Sequence, residues 1–141
     1  MKILLAVDGS DYTTRLLAWL QSLQLVFGPT VPEYTALTVV PAIPEHAARF
    51  LPNETISRYH AEEAERVLEA VRAFFQKLSC KVTTQFLIGE PGEQIAREAD
   101  RGHYDLIVMG SHGRGSVRNV VMGSVATRVL ASTKVPVLLV H

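Results

Sequence analysis

The residues best suited to chemistry in this chain lie in one stretch, Tyr104 to Thr127, which reads YDLIVMGSHGRGSVRNVVMGSVAT. Gly110-Ser111-His112-Gly113-Arg114-Gly115 holds three glycines in six residues, so it forms neither a helix interior nor a strand. Leu106 to Met109 before it is an unbroken apolar run, as in a strand covered on both faces. Val125 to Ala131 after it reads as a helix with Ser124 at or near its N-cap. A strand, a glycine loop and a helix start together present backbone N–H groups and a positive dipole end to an anion. Binding of a phosphate is the chemistry this arrangement suits. Within the loop Arg114 carries a permanent charge and is the candidate phosphate partner, against a reading as solvated surface. His112 reads either as a phosphate contact or proton-transfer group, or as an exposed loop ring.

Two generic phosphate motifs fail here. Gly110 to Ser116 has the spacing of a Walker A loop, but Ser116 stands where the lysine belongs. A G-x-G-x-x-G fingerprint would need a glycine at Arg118 and a place after the first strand. G-x2-G-x9-G-S does fit, through Gly110, Gly113, Gly123 and Ser124. This pattern resembles the nucleotide motif of the universal stress protein family, in its ATP-binding branch. The resemblance extends over nearly the whole chain. Ile3 to Ser10 resembles the family's first strand and D-x-S turn, Leu37 to Val40 its second strand, Gly89 to Ile95 the start of its third helix, and Val135 to Val140 its last strand. Pro41 to Ser57 matches no pattern of this kind.

The resemblance implies an open five-stranded parallel sheet of order 3-2-1-4-5 with helices on both faces, a Rossmann-like α/β fold. It implies ATP as the ligand, with any Mg²⁺ carried on the phosphates. Ala6, Val7 and Asp8 correspond to the strand end bordering the nucleotide, and Val39 to the residue beside adenine. Met109, Gly110 and Gly113 correspond to the loop around ribose and phosphates. Gly123, Ser124 and Val125 correspond to the turn whose N–H groups and hydroxyl hold the phosphate chain. Ala6 stands where ATP-binding relatives often have proline, a change of little consequence for a backbone contact.

The elements that must position these residues follow from periodicity. Ile3 to Val7 is a continuous apolar strand that ends at Asp8, where ligands of open α/β sheets bind. An Asx-turn role for the same carboxylate is compatible with that position. Ser10 or Asp11 caps a helix whose stripe is Leu16, Trp19, Leu20 and Leu23, ended by Gly28-Pro29. Tyr34 to Val40 is a strand. Pro41 to Thr55, with three prolines, reads as a long connection, either a lid over the site or an ordered crossover. Arg58 to Leu78 is an amphipathic helix, with Glu62 and Arg66 poised to pair at i,i+4 and His60 expected at the surface. Lys81 to Leu87 alternates as a strand, and Pro91 to Gly102 is a short helix. Pro136 places the last strand, Val135 to Val140, at an edge of the sheet, or with its proline position facing away from the neighbouring strand. Strands alternating with helices imply right-handed crossovers and a parallel sheet.

Composition narrows the function. The 141 residues suit one domain, 1–141, and the 48% hydrophobic share suits a globular core. With 14 basic and 14 acidic residues the net charge is zero, which argues against broad capture of nucleic acid or an anionic membrane. One cysteine, Cys80, forms no internal disulfide and fits a reducing compartment as an inert, partly buried thiol. The apolar run before Asp8 is too short for a signal peptide, so a cytoplasmic location is expected. The five histidines show no metal-ligand spacing, and there is no G-x-S-x-G elbow.

These readings combine into an ATP-binding regulatory protein of the stress response, working as a homodimer through Val135 to Val140, with at most slow ATPase activity and an output through a protein partner. A nucleotide-free interaction module and a slow hydrolase or phosphotransferase are the alternatives.

Overall fold

The computed structural model describes residues 1–27, 31–115 and 121–141. Its elements run β1 (Lys2–Ala6), α1 (Asp11–Phe27), β2 (Glu33–Val40), α2 (Glu45–Ala48), α3 (Asn53–Lys77), β3 (Val82–Ile88), α4 (Pro91–Arg101), β4 (Leu106–Gly110), α5 (Ser124–Ser132) and β5 (Val137–Val140). The five strands form one sheet in the order β3-β2-β1-β4-β5, and every pairing is parallel. The expected strand order and edge position of β5 are thus both present.

The sheet is central because its strands alternate between two apolar faces. Ile3 and Leu5, with Val7 just beyond β1, pack under Leu16 and Leu20 of α1 and Val67, Val71 and Phe75 of α3. Leu4, Ala6 and Leu37 point the other way, toward Ile95 and Ala99 of α4 and Ala126 and Val129 of α5. Leu4, Leu5 and Ile107 are fully buried, as the unbroken apolar runs of β1 and β4 require.

Several expectations change. Pro41 to Thr55 is not one long connection: it contains α2, and α3 begins at Asn53, directly after Pro52 at its N-cap. The opening turns of α3 carry no apolar stripe because Asn53, Glu54, Ser57 and Arg58 face solvent. His60 is buried, not superficial; one helical turn before Ala64, it lies on the stripe that continues through Val67 and Val71. Arg66 pairs with Glu63 at 2.7 Å, one residue from the expected Glu62. Helix α1 is not capped by the hydroxyl of Ser10, which is buried without a partner, although the Ser10 carbonyl accepts from the N–H groups of Thr13 and Thr14. The expected stop at Gly28-Pro29 lies outside the described residues.

Helices α4 and α5 lie against each other, and Gly92 is what permits their separation. A Cβ there would stand 2.5 Å from both Cβ and Cγ of Arg128. Arg128 then reaches back to pair with Glu93, and Glu90 caps α4 through the N–H groups of Gly92 and Glu93. Since α5 starts at the Gly123-Ser124 turn, this contact also sets the position of that turn. Gly92→Val should therefore force the helices apart and cost about 1–3 kcal/mol. An unchanged urea midpoint would show that the contact has slack.

Candidate functional site

β1 is flanked by β2 and β4, and the connections leaving β1 and β4 cover opposite faces of the sheet. A crevice opens where they diverge, beyond the carboxyl ends of the strands. Asp8 stands at its centre. Oδ1 accepts from the Ser10 N–H at 2.9 Å, which is an Asx turn, and from the Thr13 hydroxyl at 3.1 Å. The Thr13 oxygen in turn accepts from the N–H groups of Asp8 and Gly9, both at 3.1 Å. Gly9 closes the turn at φ +75°, a conformation that favours glycine. Oδ2 of Asp8 reaches across the crevice and accepts from the Arg114 N–H at 3.2 Å. The carboxylate thus fastens the β1 turn to the glycine loop after β4. A Cβ at Gly113 would lie 2.6 Å from that same oxygen, so the loop approaches Asp8 only as glycine.

The rest of the loop is held from behind. Gly110 faces Tyr12, whose Cβ would be 2.5 Å from an added Cβ. Gly123 packs on the loop backbone, where a Cβ would meet the Ser111 carbonyl and His112 Cα at 3.1 Å each. Gly123 is the N-cap of α5 at φ −69°, so close approach and not a positive φ requires glycine there. Its N–H donates to the Ser111 carbonyl at 2.8 Å and is not available to a ligand. The first helical bond of α5 runs from Thr127 N–H to Gly123 O. The amides of Ser124, Val125 and Ala126 in the first turn therefore face outward as donors. His112 is a buried residue, not an exposed ring, and Ser111 beneath it is buried too.

These pieces enclose a cavity of about 600 Å³, a size typical of small-molecule sites. All eleven residues singled out from the sequence line it: Ala6, Val7, Asp8, Val39, Met109, Gly110, Gly113, Arg114, Gly123, Ser124 and Val125. Its walls also include residues that sequence reasoning missed. Tyr12 and Thr13 come from α1, Pro91 and Ile95 from α4, and Tyr59, Glu63 and Val67 from α3. Thr13 had a local signal, an Asp five residues before a Thr at a helix start. Tyr59 and Glu63 had none, because they lie on what reads as a solvated helix face. The guanidinium of Arg114 lies over Gly9, its Nη2 3.1 Å from where a Cβ there would be, beside Val67. Among the described residues no group of three or more His, Cys, Asp or Glu is placed to hold a metal ion.

Comparison with known proteins places this architecture. The sequence model of the universal stress protein family matches residues 1–141. The chain belongs to the universal stress protein family. A universal stress protein of Methanocaldococcus jannaschii is 30% identical over 139 residues, spanning 99% of this chain and 81% of its own. The structure of the universal stress protein UspA from Lactobacillus plantarum superposes with a TM-score of 0.82 at 24% identity, covering 100% of this chain and 97% of that one. A family protein of Arabidopsis thaliana, solved with AMP bound, shares the fold with a TM-score of 0.73 at 17% identity, covering 99% and 90% of the two chains.

In this member of the family the Asp8 carboxylate accepts three donors from the protein itself. Its removal leaves those donors without a partner and frees the glycine loop. Asp8→Ala should lower the stability of the ligand-free protein by about 1–3 kcal/mol in urea unfolding. A change below a few tenths would mean that these hydrogen bonds are replaced by water at no cost.

Proposed function

We propose that this chain holds ATP in the cavity at the carboxyl ends of β1 and β4 and acts as a regulatory protein in a stress response. The carrying observation is that positions separated by more than a hundred residues, Asp8 and Gly123 among them, line one cavity that ends on the first turn of α5. In this reading the adenine lies by Val39 and Ile95, against apolar side chains. The phosphates meet the amides of Ser124, Val125 and Ala126, with Arg114 supplying charge. A plant member of the family is solved with AMP bound, which supports an adenine nucleotide as the ligand class.

A divalent ion would arrive with the phosphates. Asp8 offers the nearest carboxylate, but its oxygens already accept three protein donors, so it fits an outer-shell role and not a dedicated Mg²⁺ ligand. In this reading any hydrolysis is slow, and the output passes to a protein partner in the cytoplasm. The whole chain, 1–141, acts as one universal stress protein domain.

Gly123→Val would drive a branched side chain into the backbone of the glycine loop, displacing the turn. ATP affinity measured by calorimetry should fall at least tenfold, about 1.4 kcal/mol, with the circular dichroism spectrum retained. Unchanged affinity in the folded variant would remove the turn from the site.

The same proposal includes a homodimer through β5. Among the described residues this outer strand pairs only with β4, and Val137, Leu138 and Leu139 are each only partly buried. Such an edge is an aggregation hazard unless a second strand covers it. An antiparallel two-fold copy of β5 is the self-complementary solution, and Pro136 next to it, with no N–H, limits its register. Leu138→Glu should shift the protein from dimer to monomer in sedimentation at micromolar concentration, since two charges would face each other across the axis. A monomeric wild type, or a fully dimeric variant, would count against this interface.

A further inference from the structure

Three residues of α3 line the cavity, Tyr59, Glu63 and Val67, and they stand four apart in sequence. That spacing puts them on one stripe of the helix, with about 6 Å of rise from each to the next. The stripe is graded from inside to outside. Val67 is buried and lies over Gly9, where the Arg114 guanidinium also rests. Glu63 comes one turn further out, its side chain 25% exposed. Tyr59 ends the row with a half-exposed ring that packs edge-on against His60 at 5.5 Å. His60 and Ala64 are buried in the core, so packing fixes the rotation of α3 and with it the stripe that faces the cavity.

Glu63 brings a hydrogen-bond acceptor into this wall. Among the described residues its carboxylate meets one donor, Nη1 of Arg66, which lies 2.7 Å from Oε1. The Arg66 side chain is 73% exposed, and an ion pair so open to water holds its members weakly. Oε2 keeps its acceptor capacity for a ligand. Asp8, the other carboxylate among the described lining residues, is already committed to three protein donors. A phosphate belongs at the Arg114 end of the stripe, because against Glu63 it would meet like charge.

We propose that Glu63 is a specificity-determining residue that accepts a hydrogen bond from a ribose hydroxyl of the ligand and so holds the sugar against α3. This rests on the nucleotide reading of the same site. In a nucleotide the sugar is the group next to the phosphate, and Glu63 stands one helical turn from Val67, beside which Arg114 lies. A carboxylate accepts from hydroxyls and repels phosphate oxygens, so this one side chain selects both the sugar and the direction in which the ligand lies. A ligand without those hydroxyls leaves the desolvated carboxylate with nothing in exchange, which is how a polar wall rejects an analogue.

Calorimetric titration of the full chain with ATP and with 2′,3′-dideoxy-ATP tests the assignment. The wild type should bind ATP about tenfold more tightly than the dideoxy compound. Glu63→Ala should bind the two alike. Glu63→Asp, one methylene shorter, should lose most of the preference while keeping the charge. Inorganic triphosphate, which has no sugar, should not lose affinity in Glu63→Ala, and an unchanged Tm confirms that each variant is folded. ATP binding with no preference for the ribose in the wild type, or with the same preference in wild type and Glu63→Ala, would overturn this role alone. Inosine triphosphate separates the sugar from the base: if Glu63→Ala erased a preference for ATP over inosine triphosphate and kept the ribose preference, the carboxylate would be reading the base amine, and the ribose assignment would fall. Absence of any binding of ATP or triphosphate would overturn the nucleotide reading and the role of Glu63 with it.

Discussion

The Asp8 carboxylate is the joint on which the candidate site depends. Strand β1 and the loop after β4 come from opposite ends of the chain, and the sheet alone brings only their backbones side by side. Oδ1 organises the turn that launches α1, while Oδ2 holds the amide of Arg114. A single acceptor thus joins donors on both walls of the crevice, Ser10 and Thr13 on one side and Arg114 on the other. Gly113 is the partner constraint, since any side chain there would occupy the space of Oδ2.

Around this joint the helices are placed by what is missing. Gly92 lets α5 approach α4, Gly110 lets Tyr12 of α1 reach the end of β4, and Gly123 lets α5 begin against the loop backbone. The first turn of α5 is thereby aimed at the cavity with its amides outward. Ser111 completes the arrangement from beneath, tying β5 to the turn through backbone hydrogen bonds at both its N–H and its carbonyl. Outer strand, glycine loop and helix start are consequently joined through one residue.

Much of this was legible from the order of residues. Unbroken apolar runs at Ile3 to Val7 and Leu106 to Met109 mark interior strands because both faces of each are covered, and the structure buries all of these residues but Leu106, which is partly buried. Pro136 pointed to an edge because it lacks an N–H; β5 does lie at the edge, but it begins at Val137, so Pro136 stands just before the strand and not within it. The motif glycines and Asp8 mark the strand ends where the crevice opens, and they line it. The misreadings have separate causes. The first turns of α3 have no apolar stripe, so periodicity could not find them, whereas His60 was set on the surface by its polarity although it precedes Ala64 on the buried stripe.

Sequence by itself determined the alternation of strand and helix, the parallel sheet, the family and the positions of the close-packing glycines, because these rest on local backbone chemistry and on short spacings. Tertiary structure alone decided that Tyr59 and Glu63 of an outwardly polar helix face the cavity, and that Thr13 completes the Asp8 turn. It alone decided that the Gly123 amide is consumed within the protein and that Ser111 gathers two histidines from different strand ends. Each of these is a contact between segments far apart in the chain or a choice among donors competing for one acceptor. Such contacts depend on distances that no local pattern encodes.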